Sequence, residues 1–290
     1  MAESDTVRID LDQVLRERLP RFYRYIPRRA VEWMKRLICQ ERLNALLAEN
    51  AGKEGAEFCR GILKSLGIAV KVAEPDRLPP REHRRVILVS NHPLGGLDGM
   101  ALIDVVQRHY GGQVWFVVND LLMAVKPLRP VFLPVNKHGR QSREVMVAVE
   151  RAFRGNDPII IFPAGLVSRL LPASGSKGKA KEVHDLEWRK TFVVKAAKSG
   201  RDIVPLFFSG TNSMDFYRKA DLRKRLGIRF NLEQILLPRE MFHNQGATFT
   251  VHVGDTVPCA ELASADAGAV ARAIESAVYR LPHAGAPSTT

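Results

Sequence analysis

Apolar residues along this chain of 290 fall into short continuous runs that alternate with stretches of helical spacing. Val86-Ile-Leu-Val89 is rich in β-branched residues and is stopped by Ser-Asn-His-Pro-Leu-Gly-Gly, the pattern of a central, fully buried strand. Asp98 stands at the head of the apolar run Met100 to Val106, an N-cap type residue before a helix. The alternation continues through Val114 to Val118, Leu121 to Val125 and Val131 to Val135. A helix is predicted from Ser142 to Phe153, with Val145, Val149, Ala152 and Phe153 on its apolar face. Pro158-Ile-Ile-Ile-Phe-Pro163 reads as a strand bounded by prolines. Helices at Glu187 to Ala197 and Ala269 to Leu281 flank strands at Ile203 to Phe208 and Thr248 to Val253. Strands separated by helices predict an α/β fold: a mixed, largely parallel sheet flanked by helices.

Upstream, Ile9 to Glu49 has helical character broken at Pro20 and Pro27, and Glu54 to Leu66 is a further helix that Gly67 ends. Val70 to Val72 is a short strand candidate. The proline-rich, charged stretch Glu74 to His83 then suggests a boundary. The expected organisation is an N-terminal helical segment at 1–80, an α/β domain at 81–285 and a tail at 286–290. Val31, Trp33, Met34, Leu37 and Ile38 form a stripe at helical spacing. It suits a helix packed on the main domain as well as one lying on an anionic membrane.

Charge sharpens that second option. The formal net charge is +13 and the isoelectric point near 10.0, which predicts an acidic partner of some kind. Between Arg16 and Arg42, nine basic residues face three acidic ones, Glu17, Glu32 and Glu41. Arg218, Lys219, Arg223, Lys224, Arg225 and Arg229 form a second basic stretch, interrupted only by Asp221. Anionic lipid and an acidic carrier protein both fit such patches. A basic nucleic-acid or membrane binding protein without catalysis is the alternative of another class, although nucleic acid is not the expected partner, because no recognition motif or ladder of stacking aromatics accompanies the charge. The acidic N-terminus carries no signal-peptide pattern, no window approaches the ~18 to 20 apolar residues of a membrane span, and the three cysteines, Cys39, Cys59 and Cys259, form no metal-spaced cluster. The expected location is cytoplasmic, peripheral to the inner face of the membrane.

Candidate chemistry lies in the loops that follow the strands, where α/β sheets bind ligands. The first carries Asn91, His92, Gly95, Gly96 and Asp98; the second carries Asn136, Lys137 and Arg140; the third carries Phe162, Pro163, Gly165, Ser168 and Arg169. Phe208 to Ser213 is a fourth, short and polar, able to offer backbone amides. The dinucleotide glycine fingerprint, the Walker phosphate loop and the Gly-x-Ser-x-Gly elbow are all missing, so those functions lack their defining element. No metal or cofactor is expected, since His92 and Asp98 supply too few ligands. A histidine with a carboxylate and no protein nucleophile suits general-base activation of a substrate, and equally a pair that only caps its loop and helix.

Asn91-His-Pro-Leu-Gly-Gly-Leu-Asp98 resembles the first motif of the glycerophospholipid acyltransferase superfamily, the lysophosphatidic acid acyltransferase-like enzymes. Phe162-Pro-Ala-Gly-Leu-Val-Ser-Arg169 resembles their third motif and Ile203-Val-Pro-Leu206 their fourth. The resemblance implies that His92 takes a proton from an acceptor attacking an acyl thioester of acyl carrier protein or coenzyme A, while Asp98 orients the imidazole. It implies that Lys137, Arg140 or Arg169 holds an acidic group of the acceptor and that amides around Gly165 face the oxyanion. Five residues separate His92 from Asp98 where the usual motif has four, and Ala164 stands where phospholipid enzymes carry glutamate. Both departures resemble the hemolysin-like branch that includes ornithine and glycine N-acyltransferases. The acceptor expected on that ground is the amine of an amino acid or aminolipid precursor, with a lysophospholipid hydroxyl as the alternative.

Overall fold

The computed structural model describes residues 8–18, 20–135, 142–172, 181–227 and 232–283. The N-terminal part forms α1 (Leu11–Arg18), α2 (Arg28–Leu37), α3 (Gln40–Glu49) and α4 (Gly55–Ser65). Pro27 is the N-cap of α2, as its fixed φ and missing N–H favour. The break between α2 and α3 falls at Cys39, whose φ of 53° is left-handed, and nothing in the residue type signals it. Gly67, with φ +65°, ends α4 as expected, and the Ile68 N–H donates back to Leu63 O at 2.9 Å. The stripe on α2 divides: Val31 is buried and Leu37 packs inward, while Trp33 stays 57% exposed.

The α/β part follows as β1 (Ala69–Ala73), β2 (Val86–Ser90), α5 (Leu97–Tyr110), β3 (Trp115–Asn119), β4 (Phe132–Val135), α6 (Arg143–Arg154) and β5 (Ile159–Ile161). Then come β6 (Arg169–Pro172), β7 (Lys181–His184), α7 (Thr191–Ser199), β8 (Asp202–Phe208), α8 (Met214–Arg225), α9 (Leu237–His243), β9 (Thr248–Val253), α10 (Cys259–Leu262) and α11 (Ala267–Arg280). Seven strands make one sheet in the order β1-β9-β8-β2-β5-β3-β4, and only the β8–β9 pairing is antiparallel. The mixed, largely parallel sheet read from the sequence is therefore what forms. The Glu74–His83 loop lies between two strands of that single sheet, since β1 pairs with β9 along its whole length.

Strand β2 is wholly buried because β8 and β5 flank it on both sides and helices cover both faces. Val86 and Leu88 face α4 and α5, packing with Phe58, Ile62, Leu102 and Val106. Ile87 and Val89 face the other layer, where Phe153, Phe192, Ile274 and Val278 come from α6, α7 and α11. This explains a continuous apolar run in place of alternation. It also puts the carboxyl ends of β2, β5 and β8 side by side, so their three following loops meet.

Some elements differ from the pattern reading. Residues 187–190 are not helical, because Trp188 is drawn into the core and its indole is hydrogen-bonded, so α7 starts at Thr191. Leu121 to Val125 lies mostly in a 3-10 turn, Asp120–Ala124. The β6–β7 hairpin and α8 carry a weak apolar periodicity and do not stand out from the sequence.

At the opposite, amino-terminal edge of the sheet, three arginines clasp helix ends. Arg201 is fully buried and donates to the carbonyls of Ala152, Phe153, Gly155, Asp157 and Val86, binding the end of α6 to the start of β2. Arg84 donates to Tyr110 and Gly111 O at the end of α5, and Arg85 to Ser199 O at the end of α7. These are the orphan carbonyls and negative dipole ends that a cation stabilises. Burial, with the neighbouring Arg85, pulls the Arg201 guanidinium down to about 10, which leaves it charged at neutral pH. Arg201→Met is expected to cost at least ~2 kcal/mol, because it strips donors from buried carbonyls. Urea denaturation of the two proteins measures the difference.

Candidate active site

The loop after β2 is pinned first by Asn91. Its side-chain Nδ2 donates to Phe208 O at 3.0 Å and its Oδ1 accepts from Phe208 N–H at 2.7 Å, tying β2 to β8 just beyond their last pairing. His92 follows. Its Nδ1 lies 2.9 Å from Asp98 Oδ2, and its ring stacks on Phe162 with centroids 4.0 Å apart and planes at 20°. Phe162 in turn meets Phe116 edge-on at 5.2 Å. Loop, third motif and β3 thus hold the imidazole between a carboxylate and an aromatic wall.

Asp98 is completely buried at the first turn of α5. Its Oδ2 also accepts from the N–H groups of Leu94 at 2.8 Å and Gly95 at 3.3 Å, and its Oδ1 from Gly99 N–H at 2.9 Å. Burial alone would raise its pKa, but the adjacent His92 and these amides outweigh it and hold the carboxyl below its ordinary value. An ionised Asp98 accepts, so His92 Nδ1 carries the proton and Nε2 is left as the basic nitrogen. The His92 side chain is 15% exposed, enough to meet a ligand.

The five-residue spacing is accommodated by Gly95, whose φ of +84° lets the loop turn back onto Asp98. The left-handed backbone calls for glycine, and a Cβ there would also come within 2.8 Å of the Leu237 methyls and 3.0 Å of Val167, which would have to shift. Gly96 is the α5 N-cap and has open space around it. Ala164 is buried in the apolar cluster with Ile87, Val89 and Ile159, a place where a glutamate would be desolvated without compensation.

Other expected site residues serve the framework. The Gly165 N–H closes a turn by donating to Phe162 O at 2.9 Å, so this amide does not face an oxyanion. Pro163 is buried and its carbonyl accepts from Arg189 N–H at 3.4 Å. The Ser168 hydroxyl donates to Asp185 at 2.5 Å inside the protein. Arg169 begins β6, half-buried, where its charge opposes the rise of the Tyr217 phenol, which burial pushes up to about 12. In the fourth loop the amides of Ser209, Asn212 and Ser213 are taken: Ser209 N–H donates to Thr250 O, Asn212 N–H to Tyr217 Oη and Ser213 N–H to Glu240, while Asn212 Nδ2 braces Pro93 O at 3.0 Å. Asn136, Lys137 and Arg140 lie outside the described residues.

Asp185, which no motif flagged, sits directly behind this loop. Its Oδ1 accepts from His92 N–H at 3.2 Å and from Ser168, and its Oδ2 from the Trp188 indole N–H at 3.0 Å. Burial raises its pKa against the pull of those donors and of His92. A cavity of about 280 Å³ opens nearby between Asn91, Ser168, Phe207, Thr211 and Tyr279, but His92 is not in its wall. Among the described residues, no three His, Cys, Asp or Glu side chains gather as metal ligands would.

A family model described as Acyltransferase matches residues 13–280. The chain belongs to that acyltransferase family. Two relatives of this acyltransferase, from Bacteroides thetaiotaomicron and Phocaeicola vulgatus, are each 40% identical over 258 residues. The match spans 89% of this chain and 91% and 89% of theirs, respectively, and both bear the name lyso-glycine lipid O-acyltransferase. The crystal structure of the 1-acyl-sn-glycerophosphate acyltransferase PlsC from Thermotoga maritima superposes with a TM-score of 0.45 at 15% identity, over 80% of this chain and 83% of that one. The family match makes the protein an acyltransferase enzyme.

The depressed Asp98 pKa has a stability consequence. A carboxyl whose folded pKa lies below its unfolded value of ~3.9 contributes stability that is fully present above that value and lost as pH falls through the folded pKa. Asp98→Asn should remove this contribution, so its melting temperature should fall less steeply than the wild type's below about pH 4. Thermal denaturation across the acid range compares the slopes.

Proposed function

We propose that this enzyme moves a fatty acyl chain from an acyl thioester, on acyl carrier protein or coenzyme A, to the hydroxyl of a lyso-lipid with an amino-acid head group. His92 is the general base. The observation that carries the reading is the His92–Asp98 pair, with Nδ1 committed to the buried carboxylate at 2.9 Å while the imidazole side chain stays 15% exposed. As the acceptor oxygen attacks the thioester carbonyl, its proton passes to Nε2. When the tetrahedral intermediate collapses, the carbon–sulfur bond breaks and the thiolate takes that proton as it leaves. Asp98 steadies the imidazolium between the two steps. The hydroxyl acceptor replaces the amine expected from the loop spacing, because both relatives are named O-acyltransferases. The same base serves either nucleophile.

A membrane surface is the proposed meeting place with the lipid acceptor. Phe22, Tyr25 and Trp33 are 67%, 68% and 57% exposed. Around them Arg21, Arg24, Arg28, Arg29 and Arg36 are exposed as well. Apolar tips among cations suit an anionic interface. On α8 and just past its end, Leu222 and Leu226 lie exposed among Arg218, Lys219 and Arg225 in the same manner. No helix among the described residues is long and apolar enough to cross a membrane.

Purified enzyme given an acyl-carrier thioester with lyso-glycine lipid, lysophosphatidate, glycine or ornithine in separate incubations should form product with lyso-glycine lipid, a diacylated aminolipid. Mass spectrometry before and after mild alkaline treatment separates an ester from an amide, and an alkali-stable product would overturn the hydroxyl assignment. His92→Ala should lower turnover by ~10²- to 10⁴-fold in a folded protein. Co-flotation with phosphatidylglycerol vesicles is expected at low salt, weakened by high salt and by Phe22→Ser with Trp33→Ser. Flotation indifferent to lipid charge would dismiss the membrane surface.

A further inference from the structure

His92 lies two residues past the end of β2, so its peptide N–H and C=O have no place in the sheet ladder. Both are satisfied from one source. The N–H donates to Asp185 Oδ1 at 3.2 Å, and the C=O accepts from Ser168 N–H at 2.8 Å. Ser168 is itself joined to Asp185 through its hydroxyl at 2.5 Å. The peptide of His92 is thus clamped on two sides by a pair whose members are each about 1% exposed. The clamp has its own anchors: the Trp188 indole N–H on Asp185 Oδ2, and the Asp185 N–H on Tyr279 Oη of α11 at 2.8 Å.

We propose that Asp185 is a positioning residue for catalysis, holding the His92 peptide so that the imidazole keeps both its hydrogen bond to Asp98 and its stack on Phe162. It touches no substrate and works through the backbone. A misplacement of about 1 Å at a reacting group can cost ~10²-fold in rate, so a carboxylate behind the loop can govern turnover without governing binding. This inference rests on His92 being the base.

The test is built in a Trp188→Phe background. In Asp185→Asn alone, the new amide would set an N–H against either the indole N–H or the His92 N–H; without the indole N–H, asparagine can turn its oxygen to His92. Trp188→Phe is the reference enzyme against which each further variant is measured, since the Asp185 Oδ1 contacts with His92 and Ser168 do not involve the indole. Adding Asp185→Leu, an apolar residue of similar shape with no acceptor, should lower kcat by ~10- to 100-fold while KM for the acyl thioester stays within about twofold. Adding Asp185→Asn instead should hold kcat within about threefold of the Trp188→Phe enzyme, because the acceptor is back. Asp185→Ala in the same background is a second variant lacking the acceptor, should the leucine protein not fold. Circular dichroism establishes folding at the assay temperature. A folded leucine or alanine variant that turns over as fast as Trp188→Phe would refute the clamp. So would an asparagine variant as slow as the leucine one. If His92→Ala itself stays active, the base assignment fails; if it is inactive while the leucine variant is fast, only the clamp fails.

Discussion

A carboxylate with no access to water must find its donors inside the protein, and the loop between β2 and α5 is folded to meet that demand. Asp98 accepts from the imidazole and from three backbone amides, those of Leu94, Gly95 and Gly99. Leaving a buried ion short of partners costs several kcal/mol, so the loop has little freedom to take another course. The left-handed turn at Gly95 and the direction of the His92 ring follow from this one requirement. Orientation of the imidazole and stability of the fold are therefore the same set of hydrogen bonds.

The two ends of the sheet divide the labour. At the carboxyl ends of β2, β5 and β8, the loops converge on the imidazole, and their polar side chains mostly hold one another. Asn91 fixes β2 to β8, Ser168 holds Asp185, and Asn212 braces Pro93. At the amino-terminal edge, Arg84, Arg85 and Arg201 close the ends of α5, α7 and α6. Part of the +13 charge is thereby consumed in structure, and the rest stays exposed, on the N-terminal helices and on α8 but also on α6 and elsewhere. A basic composition is thus a mixture of two physical causes, and only burial separates them.

Motif positions and chemical roles coincide less than a linear reading suggests. Phe162 matters as the surface on which His92 stacks, and Gly165 as a turn whose amide is already spent. Ala164, the departure from the glutamate pattern, is explained by its apolar surroundings. A short polar or glycine-rich stretch announces that a loop is constrained, without telling whether its groups face a ligand or each other.

Sequence alone determined the features whose causes are local. The buried run of β2, the glycine stop after α4, the proline at the head of α2 and the His92–Asp98 pair, six positions apart, are all written within a few residues of where they act. So is the sheet class, since alternating strand and helix patterns leave few architectures open. Tertiary structure alone decided the rest. Asp185 reaches His92 across 93 positions and Arg201 reaches Phe153 across 48. Such contacts have no periodicity and no neighbouring signature, because the energy that selects them exists only once both groups have been removed from water. In the linear chain Asp185 is one acidic residue among many; folded, it holds the peptide on which the imidazole hangs.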